Sequence, residues 1–151
     1  MSIEKDIKSK GFLISQEKVY VNLIFTGFRL YANSNQFFKT YGLTEPQYNF
    51  LRILRGSFPS KMEMKNIQSR MLQPYSNTTR LLAGMSVEKL VRTSVDSKDK
   101  RVRLCTITAK GLRLLEEIDT PLKEHCNTQI QLTEAEMTTL NHLVDKLRAT
   151  L

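Results

Sequence analysis

A change of hydrophobic period within residues 76–111, SNTTRLLAGMSVEKLVRTSVDSKDKRVRLCTITAKG, constrains the fold of this chain more than any other feature. Apolar residues first recur at helical spacing, at Leu81, Leu82 and Met85, behind a serine whose hydroxyl can cap unpaired amides. The period then falls to two in the apolar runs on either side of residues 96–99, DSKD. The pattern predicts a helix followed by a two-stranded hairpin with a charged tip.

The predicted start of this helix is a run of short polar side chains that ends in an arginine: Ser76, Asn77, Thr78, Thr79 and Arg80. Such residues can cap and solvate an ordinary surface helix. They can also donate hydrogen bonds to phosphates and base edges, and the amides of a helix N-terminus attract phosphate. Because a basic hairpin follows, we expect these residues to contact DNA.

Basic residues and one aspartate surround the predicted hairpin tip: Lys98, Asp99, Lys100, Arg101 and Arg103. A solvated hairpin whose lysines discourage edge pairing would explain them. So would a DNA-binding wing that inserts Arg101 into the minor groove, where narrow A·T-rich DNA concentrates negative potential. Asp99 precedes Arg101 by two residues and can hold its guanidinium through paired hydrogen bonds. We favour the wing.

The net charge of +8 is concentrated in the middle of the chain. Residues 47–113 carry 14 Lys and Arg against 4 Asp and Glu, a net charge of +10. Residues 1–46 carry 6 against 4 and residues 114–151 carry 3 against 7, so the two flanks together have a net charge of −2. This distribution indicates a localised face for a polyanion. We expect Lys61 and Lys65 to touch phosphates, although solvating a helix would explain them equally well.

The segments around this region have the patterns of helices. Residues 19–38 are apolar on nearly every face, which predicts a helix that is covered from several sides. A second helix is predicted to begin after the capping residue Thr44, with Glu45 and Pro46 in its first turn. A short helix at about residues 64–71 and the helix that follows it form a helix-turn-helix.

Two further helices are predicted after the hairpin, the first capped by Thr108 and interrupted or kinked at Pro121. The second begins with the capping box TEAE at residues 133–136. The predicted fold class is therefore mainly α, a winged helix-turn-helix with a two-stranded wing. We expect one domain over residues 1–151, with dimerisation helices at about 15–40 and 109–151 and a DNA-binding lobe at about 44–108.

Three motifs of this chain occur together in one known family. They are Leu43, Thr44 and Gln47 at the entry to the second helix, the polar helix start at residues 76–80, and the wing residues 99–101 followed by ITAKG at residues 107–111. Their spacings fit without a gap, and an aspartate-x-arginine wing at this distance from threonine-x-x-glycine is far more specific than one short motif. Over about residues 19–118 the chain resembles the MarR-type (multiple antibiotic resistance regulator) winged-helix transcription factors.

The resemblance implies a homodimer that binds a pseudo-palindromic DNA operator, most simply as a repressor. It also implies a small aromatic or lipophilic effector between the dimer helices and the DNA-binding lobe. Aromatic residues near that junction are candidates for the effector pocket, although they would equally form core: Tyr31, Tyr41 and Tyr48. Lys89 departs from the family, since relatives usually have a glycine between the recognition helix and the wing.

Other classes of function find little support. The sequence contains no glycine-rich phosphate loop, nucleophile elbow or metal-ligand spacing, so we expect no enzyme, no metal and no cofactor. No stretch reaches the roughly 18 apolar residues of a membrane helix, and the N-terminus is unlike a secretory signal, so we expect no membrane partner and a cytoplasmic location.

Three alternatives remain open at this point. The first is a thiol-based redox regulator using Cys105 or Cys126, for which structural burial is the better interpretation because the sequence places no basic residue against either thiol. The second is a winged-helix interaction module that does not bind DNA. The third is an RNA-binding protein, although the chain lacks an aromatic platform of the kind that reads RNA.

Overall fold

A computed structural model describes residues 2–73 and 77–151 of the chain. The elements, in chain order, are α1 (Ile3–Asp6), α2 (Ser15–Lys39), α3 (Glu45–Arg55), β1 (Met62–Glu63), α4 (Met64–Gln68), α5 (Thr78–Val87), β2 (Val91–Val95), β3 (Arg103–Ile107), α6 (Ala109–Gln129) and α7 (Glu134–Arg148). The chain divides into two compact units, Met1–Leu115 and Glu116–Leu151. The predicted mainly α fold with a β wing is confirmed. The prediction of a single domain stays a prediction.

Helix α3 forms the centre of the first unit. Thr44 and Gln47 make a reciprocal capping box at its start, in which the Thr44 amide donates to Gln47 Oε1 at 2.8 Å. Five large side chains of the helix are buried: Tyr48, Phe50, Leu51, Ile53 and Leu54. These side chains form the buried face of the helix. Burial of each large apolar side chain contributes about 1.5–3 kcal/mol to stability.

The sheet has three strands in the order β1-β3-β2, all antiparallel, where the sequence predicted two. In the hairpin, Val91 pairs with Ile107 and Val95 with Arg103. The added strand β1 pairs Met62 with Cys105 and Glu63 with Leu104. A two-residue strand is too short to show a hydrophobic period, which is why the sequence pattern missed it.

The turn between α5 and β2 is bound to the start of α6. Thr108 Oγ1 donates to the carbonyl of Lys89 at 2.8 Å, and Lys110 Nζ donates to the carbonyl of Glu88 at 2.8 Å. Thr108 also caps α6 as predicted, because the Gly111 amide donates to Thr108 Oγ1 at 3.1 Å. Lys89 has φ 58°, so this turn keeps a left-handed residue although it lacks the glycine typical of the resembling family.

The second unit contains the remainder of α6 and all of α7. Helix α6 is continuous through Pro121, so the proline does not end it. The predicted capping box of α7 is confirmed, with Thr133 accepting from the Glu136 amide and Glu136 accepting from the Thr133 amide. Several large apolar side chains of this unit are exposed: Ile130, Leu132, Leu140, Leu143, Leu147 and Leu151. In the described part of the chain, no helix combines the length and the apolar character that a membrane span requires.

The two cysteines lie in contrasting surroundings. Cys105, in β3, is fully buried, and burial raises the pKa of its thiol to about 11. Cys126, in α6, is exposed. Neither forms a disulfide. The buried thiol is therefore protonated at neutral pH and unreactive, as the structural interpretation expected.

We expect Gly111→Ala to destabilise the protein. A Cβ atom at this position would lie 2.5 Å from the Leu90 carbonyl oxygen and 2.7 Å from Ile107 Cγ1, so the turn between α5 and β2 would have to shift. Overpacking of this kind costs about 1–3 kcal/mol, measurable as a lower midpoint in urea. Gly56→Ala is the matched control, because a Cβ there meets only ordinary van der Waals contacts at 3.5 and 3.7 Å and the φ of −66° suits alanine. Equal midpoints for Gly111→Ala and wild type would contradict this account.

Thiol titration checks the cysteine environments. At pH 8 we expect a disulfide reagent to modify Cys126 rapidly and to reach Cys105 only after denaturant is added, because the Cys105 thiol is buried and its pKa is raised. Cys126→Ser should therefore show no fast-reacting thiol. Because the unfolded chain ionises Cys105 at a lower pH than the folded protein, stability should fall as the pH rises from about 9 towards 11. Fast modification in Cys126→Ser would show that the site opens in the native state.

Candidate nucleic-acid interface

A groove of about 540 Å³ separates the start of α5 from the wing strand β3 in the first unit. Its walls come from three stretches that are distant in sequence: β1 with α4, the helix α5, and the wing. They contribute Glu63, Met64, Lys65, Gln68, Thr78, Thr79, Leu82, Arg101, Val102 and Arg103. The groove therefore brings together residues predicted independently for the recognition helix, for the wing and for a phosphate contact.

The first turn of α5 forms one wall of the groove. Helix α5 begins at Thr78, and the side chain of Asn77 caps it by accepting from the Arg80 amide at 3.0 Å. Capping by Ser76 was predicted, but that residue lies outside the described residues; the observed cap, Asn77, is one residue later. Thr78 is buried, whereas Thr79 and Arg80 are exposed. Of the residues predicted to contact DNA, Thr79 therefore presents an exposed hydroxyl in the groove. Asn77 Oδ1 already accepts the capping hydrogen bond.

The wing tip is fixed by the carboxylate of Asp96. Asp96 Oδ1 accepts from the backbone amides of Lys98 at 2.8 Å and Asp99 at 3.0 Å. Two backbone hydrogen bonds close the tip, from the Asp96 amide to the Val102 carbonyl and from the Val102 amide to the Asp99 carbonyl. An aspartate that accepts from amides two and three residues later is a common way to order a turn. The tip is therefore a defined loop on which charged side chains are presented.

Asp99 holds Arg101 in a two-point interaction, as the sequence spacing predicted. Arg101 Nε lies 3.2 Å from Asp99 Oδ1, and Arg101 Nη2 lies 3.2 Å from Asp99 Oδ2. The Arg101 amide also donates to Asp99 Oδ1 at 2.9 Å. These bonds lower the pKa of the Asp99 carboxyl. The Arg101 side chain remains 92% exposed, and because a guanidinium has five N–H donors, donors beyond those that bind Asp99 remain for a further partner.

The other predicted cations are placed in different ways. Arg103 lines the groove, while Lys98 and Lys100 are exposed on the wing outside its lining. Lys65 lines the groove and forms an ion pair with Glu63 at 2.9 Å, which raises the pKa of Lys65. Lys61 Nζ donates to Ser94 Oγ at 3.1 Å beside the sheet and does not line the groove.

Sequence reasoning did not single out Glu63 or Gln68, which also line the groove. For Glu63 a signal was available, because it is a lone acidic residue between the basic residues Lys61 and Lys65. Within residues 2–73 and 77–151, no three His, Cys, Asp or Glu side chains are arranged to hold a metal ion.

The three tyrosines predicted for an effector pocket lie in three different surroundings. Tyr48 is buried, stacks on Phe38 with ring centroids 4.1 Å apart, and accepts a hydrogen bond from Arg52 at 2.9 Å. Tyr41 lines a separate groove near the end of α5. Tyr31 lines an apolar groove of about 690 Å³ on α2, together with Leu23, Ile24, Gly27, Phe28 and Gln73.

Neither a model of a known protein family nor a curated protein matches this sequence. Solved structures do match it over most of its length. A MarR-like transcription regulator from Bacillus cereus has 21% identity and a TM-score of 0.81, covering 90% of this chain and 97% of its own. The regulator Sco3205 from Streptomyces coelicolor, solved in complex with DNA, has 16% identity and a TM-score of 0.81, with 94% and 92% covered.

A third similar structure was solved with a small molecule. It is the PcaV transcriptional regulator from Streptomyces coelicolor in complex with its natural ligand, with 19% identity, a TM-score of 0.70, and 82% of this chain and 89% of its own covered. Similarity at such identities reflects a shared arrangement of elements, and the match extends beyond the wing motif to nearly the whole chain. This chain has the winged helix-turn-helix fold of the MarR-like transcription regulators.

Proposed function

We propose that this protein is a DNA-binding transcriptional regulator that acts as a homodimer in the cytoplasm. The observation that carries the proposal is the single groove that joins the first turn of α5 to the Asp99–Arg101 pair of the wing. A helix start with polar side chains and an exposed arginine held at a hairpin tip are suited to two adjacent features of a duplex. Sco3205, which has the same fold, was solved with DNA.

In this proposal α5 enters the major groove and the wing reaches the neighbouring minor groove. Thr79 and Arg80 are exposed where α5 meets the bases and phosphates. Arg101 enters the minor groove already oriented, so binding costs less side-chain entropy than it would for an unrestrained arginine. The basic middle of the chain, with its net charge of +10, supplies the attraction to phosphate that does not depend on sequence.

A second copy of the chain would cover apolar surface that one chain leaves exposed. On α2 this surface consists of Val19, Tyr20, Leu23, Ile24, Phe28 and Leu30. On α7 a groove of about 480 Å³ is lined by Leu132, Ala135, Glu136, Thr139, Leu140 and Leu143. Soluble proteins seldom expose such continuous apolar stripes unless a partner covers them. A symmetric dimer would place two α5 helices about 34 Å apart, which matches a pseudo-palindromic operator.

The α2 groove with Tyr31 is our proposed effector site. Its lining is almost entirely apolar, which suits a small aromatic or lipophilic molecule. PcaV, solved with its natural ligand, has the same fold. An effector that binds better to a dimer with wrongly spaced α5 helices would release DNA, because a ligand shifts an equilibrium only by its differential affinity for the two states. The protein would then act as a repressor that the effector removes.

The alternative functions receive less support from these positions. A redox switch at Cys105 would need a reactive thiolate, whereas that thiol is buried, so among the two cysteines only the exposed Cys126 could carry one. An interaction module without DNA binding would leave the ordered wing tip and its arginine without a use. The regulator is therefore the function that the geometry supports best.

The DNA-binding proposal is tested by Arg101→Ala. A duplex enriched by the wild-type protein from a random-sequence pool serves as the cognate DNA, and a scrambled duplex of equal composition serves as the reference. We expect fluorescence anisotropy to show a loss of cognate affinity of roughly ten- to a hundred-fold, in line with about 1–3 kcal/mol for a specific arginine contact. Arg113→Ala, an exposed arginine of α6 outside the groove, should change it little. Failure to enrich any duplex would overturn the proposal.

The dimer is tested by Leu140→Asp. Leu140 is 47% exposed and lines the α7 groove, so a charge there should oppose burial against a second copy. We expect light scattering to give twice the 17.5 kDa chain mass for wild type and a mass close to that of one chain for the variant. His142→Asp adds an acidic group at an exposed α7 position outside the groove and should remain dimeric. A monomeric wild type would exclude the two-helix operator.

A further inference from the structure

We propose that Glu63 limits the affinity of the groove for DNA phosphates by holding the Lys65 ammonium in an internal ion pair. The proposal rests on the DNA-binding function argued above and concerns a residue of the same groove. Its consequence is that Lys65, although it lies in the interface, contributes less than one full charge to binding. Removal of the Glu63 charge should therefore strengthen binding to any duplex.

The two residues are held in place by different elements. Glu63 belongs to β1 and pairs with Leu104 of β3, so the wing sheet fixes its backbone. Lys65 lies in the first turn of α4, and its Nζ lies 2.9 Å from Glu63 Oε2. Both side chains line the groove, together with Thr79 and Arg101. A negative charge thus lies among the groups that would face the phosphates of a bound duplex.

The carboxylate of Glu63 is directed to the lysine and not to the helix that follows it. Glu63 is the N-cap residue of α4, yet its side chain accepts no capping hydrogen bond. A short side chain such as aspartate at this position would ordinarily accept from the amides of the first turn, and the longer glutamate does not do so here. Here the ion pair with Lys65 takes that place, and it raises the pKa of the lysine. The Glu63 carboxylate therefore pairs with Lys65 in the groove and does not cap α4.

The pair differs from Asp99–Arg101 in what it leaves available to DNA. Asp99 binds two nitrogens of the Arg101 guanidinium, which has five N–H donors in all, so the carboxylate orients the cation and leaves donors over for a phosphate. The Lys65 ammonium is a point charge, and a phosphate that approaches it must share it with Glu63. The Lys65 side chain is 77% exposed, so the phosphate can reach it, but the carboxylate stays nearby.

The electrostatic consequence is measurable as a salt dependence. Each phosphate that a protein cation neutralises releases counterions and adds about 0.9 to the slope of log affinity against log salt. A lysine that is already paired with a carboxylate adds no net positive charge to the interface, so its contribution to the salt slope is small. The Glu63–Lys65 pair would therefore weaken binding of the protein to non-cognate DNA, where phosphate contacts supply essentially all of the affinity.

The test is a double-mutant cycle of Glu63→Gln and Lys65→Gln, followed by anisotropy on cognate and scrambled duplexes over a salt series. Glu63→Gln should raise affinity for the scrambled duplex roughly three- to ten-fold and steepen the salt slope by about 0.9 per protomer. Lys65→Gln alone should weaken binding to both duplexes, because it leaves the Glu63 carboxylate unpaired among the groups that face the phosphates. The double variant should lose the gain. Glu17→Gln is the control, because it makes the same change of net charge on α2, which contributes nothing to the groove.

The outcomes separate this inference from the function on which it rests. If wild type binds DNA and Glu63→Gln binds equally or more weakly, the inference is overturned and the regulator remains. If the gain persists when Lys65 is also replaced, Glu63 repels DNA directly and the ion-pair mechanism is wrong. If wild type binds no duplex, the proposed function itself fails. Unchanged thermal unfolding of each variant establishes that the comparison is between folded proteins.

Discussion

The position of the wing relative to α5 depends on the hydrogen bonds that fasten the turn after α5 to the start of α6. Thr108 Oγ1 donates to the carbonyls of Lys89 and Leu90, and Lys110 donates to that of Glu88. Because α5 ends at Val87 and β2 begins at Val91, these bonds fix the direction in which the wing leaves the helix. They also hold Lys89 in the left-handed conformation, which costs a residue with a Cβ atom about 1–2 kcal/mol. The close packing of Gly111 on Leu90 completes the junction.

The acidic residues of the basic segment 47–113 all bind a neighbouring group of the protein. Residues 47–113 contain four, and each has a structural partner: Asp96 orders the wing tip, Asp99 holds Arg101, Glu63 pairs with Lys65, and Glu88 lies 3.9 Å from Lys110. Exposed ion pairs of this kind add little stability, typically about 0–1 kcal/mol. They act instead on the positions of the cationic side chains and on the local electrostatic field of the groove. The acidic minority positions cations, while the basic majority sets the long-range attraction for a polyanion.

Apolar surface that one chain leaves exposed provides a physical link between assembly and regulation in the function that we propose. The stripe on α2 and the α7 groove have too little cover within their own units. A second copy would bury such surface at roughly 25 cal/mol per Å². An effector in the α2 groove would then occupy space beside the proposed interface, where a small change of packing alters the spacing of two recognition helices. Regulation would thus act on the quaternary arrangement, and the wing itself would stay unchanged.

Local interactions explain what the sequence by itself determined about this protein. The Thr44 cap of α3, the capping box of α7, the hairpin, the Thr108 cap and the Asp99–Arg101 pair all join residues that are close in the chain, so spacing and residue type were enough to predict them. The tertiary structure decided the rest: strand β1, the meeting of Glu63 and Lys65 with Thr79 and Arg101, and the separation of Tyr31, Tyr41 and Tyr48. Those features depend on which distant segments come together, and a two-residue strand or a lone glutamate has no period from which that pairing could be read.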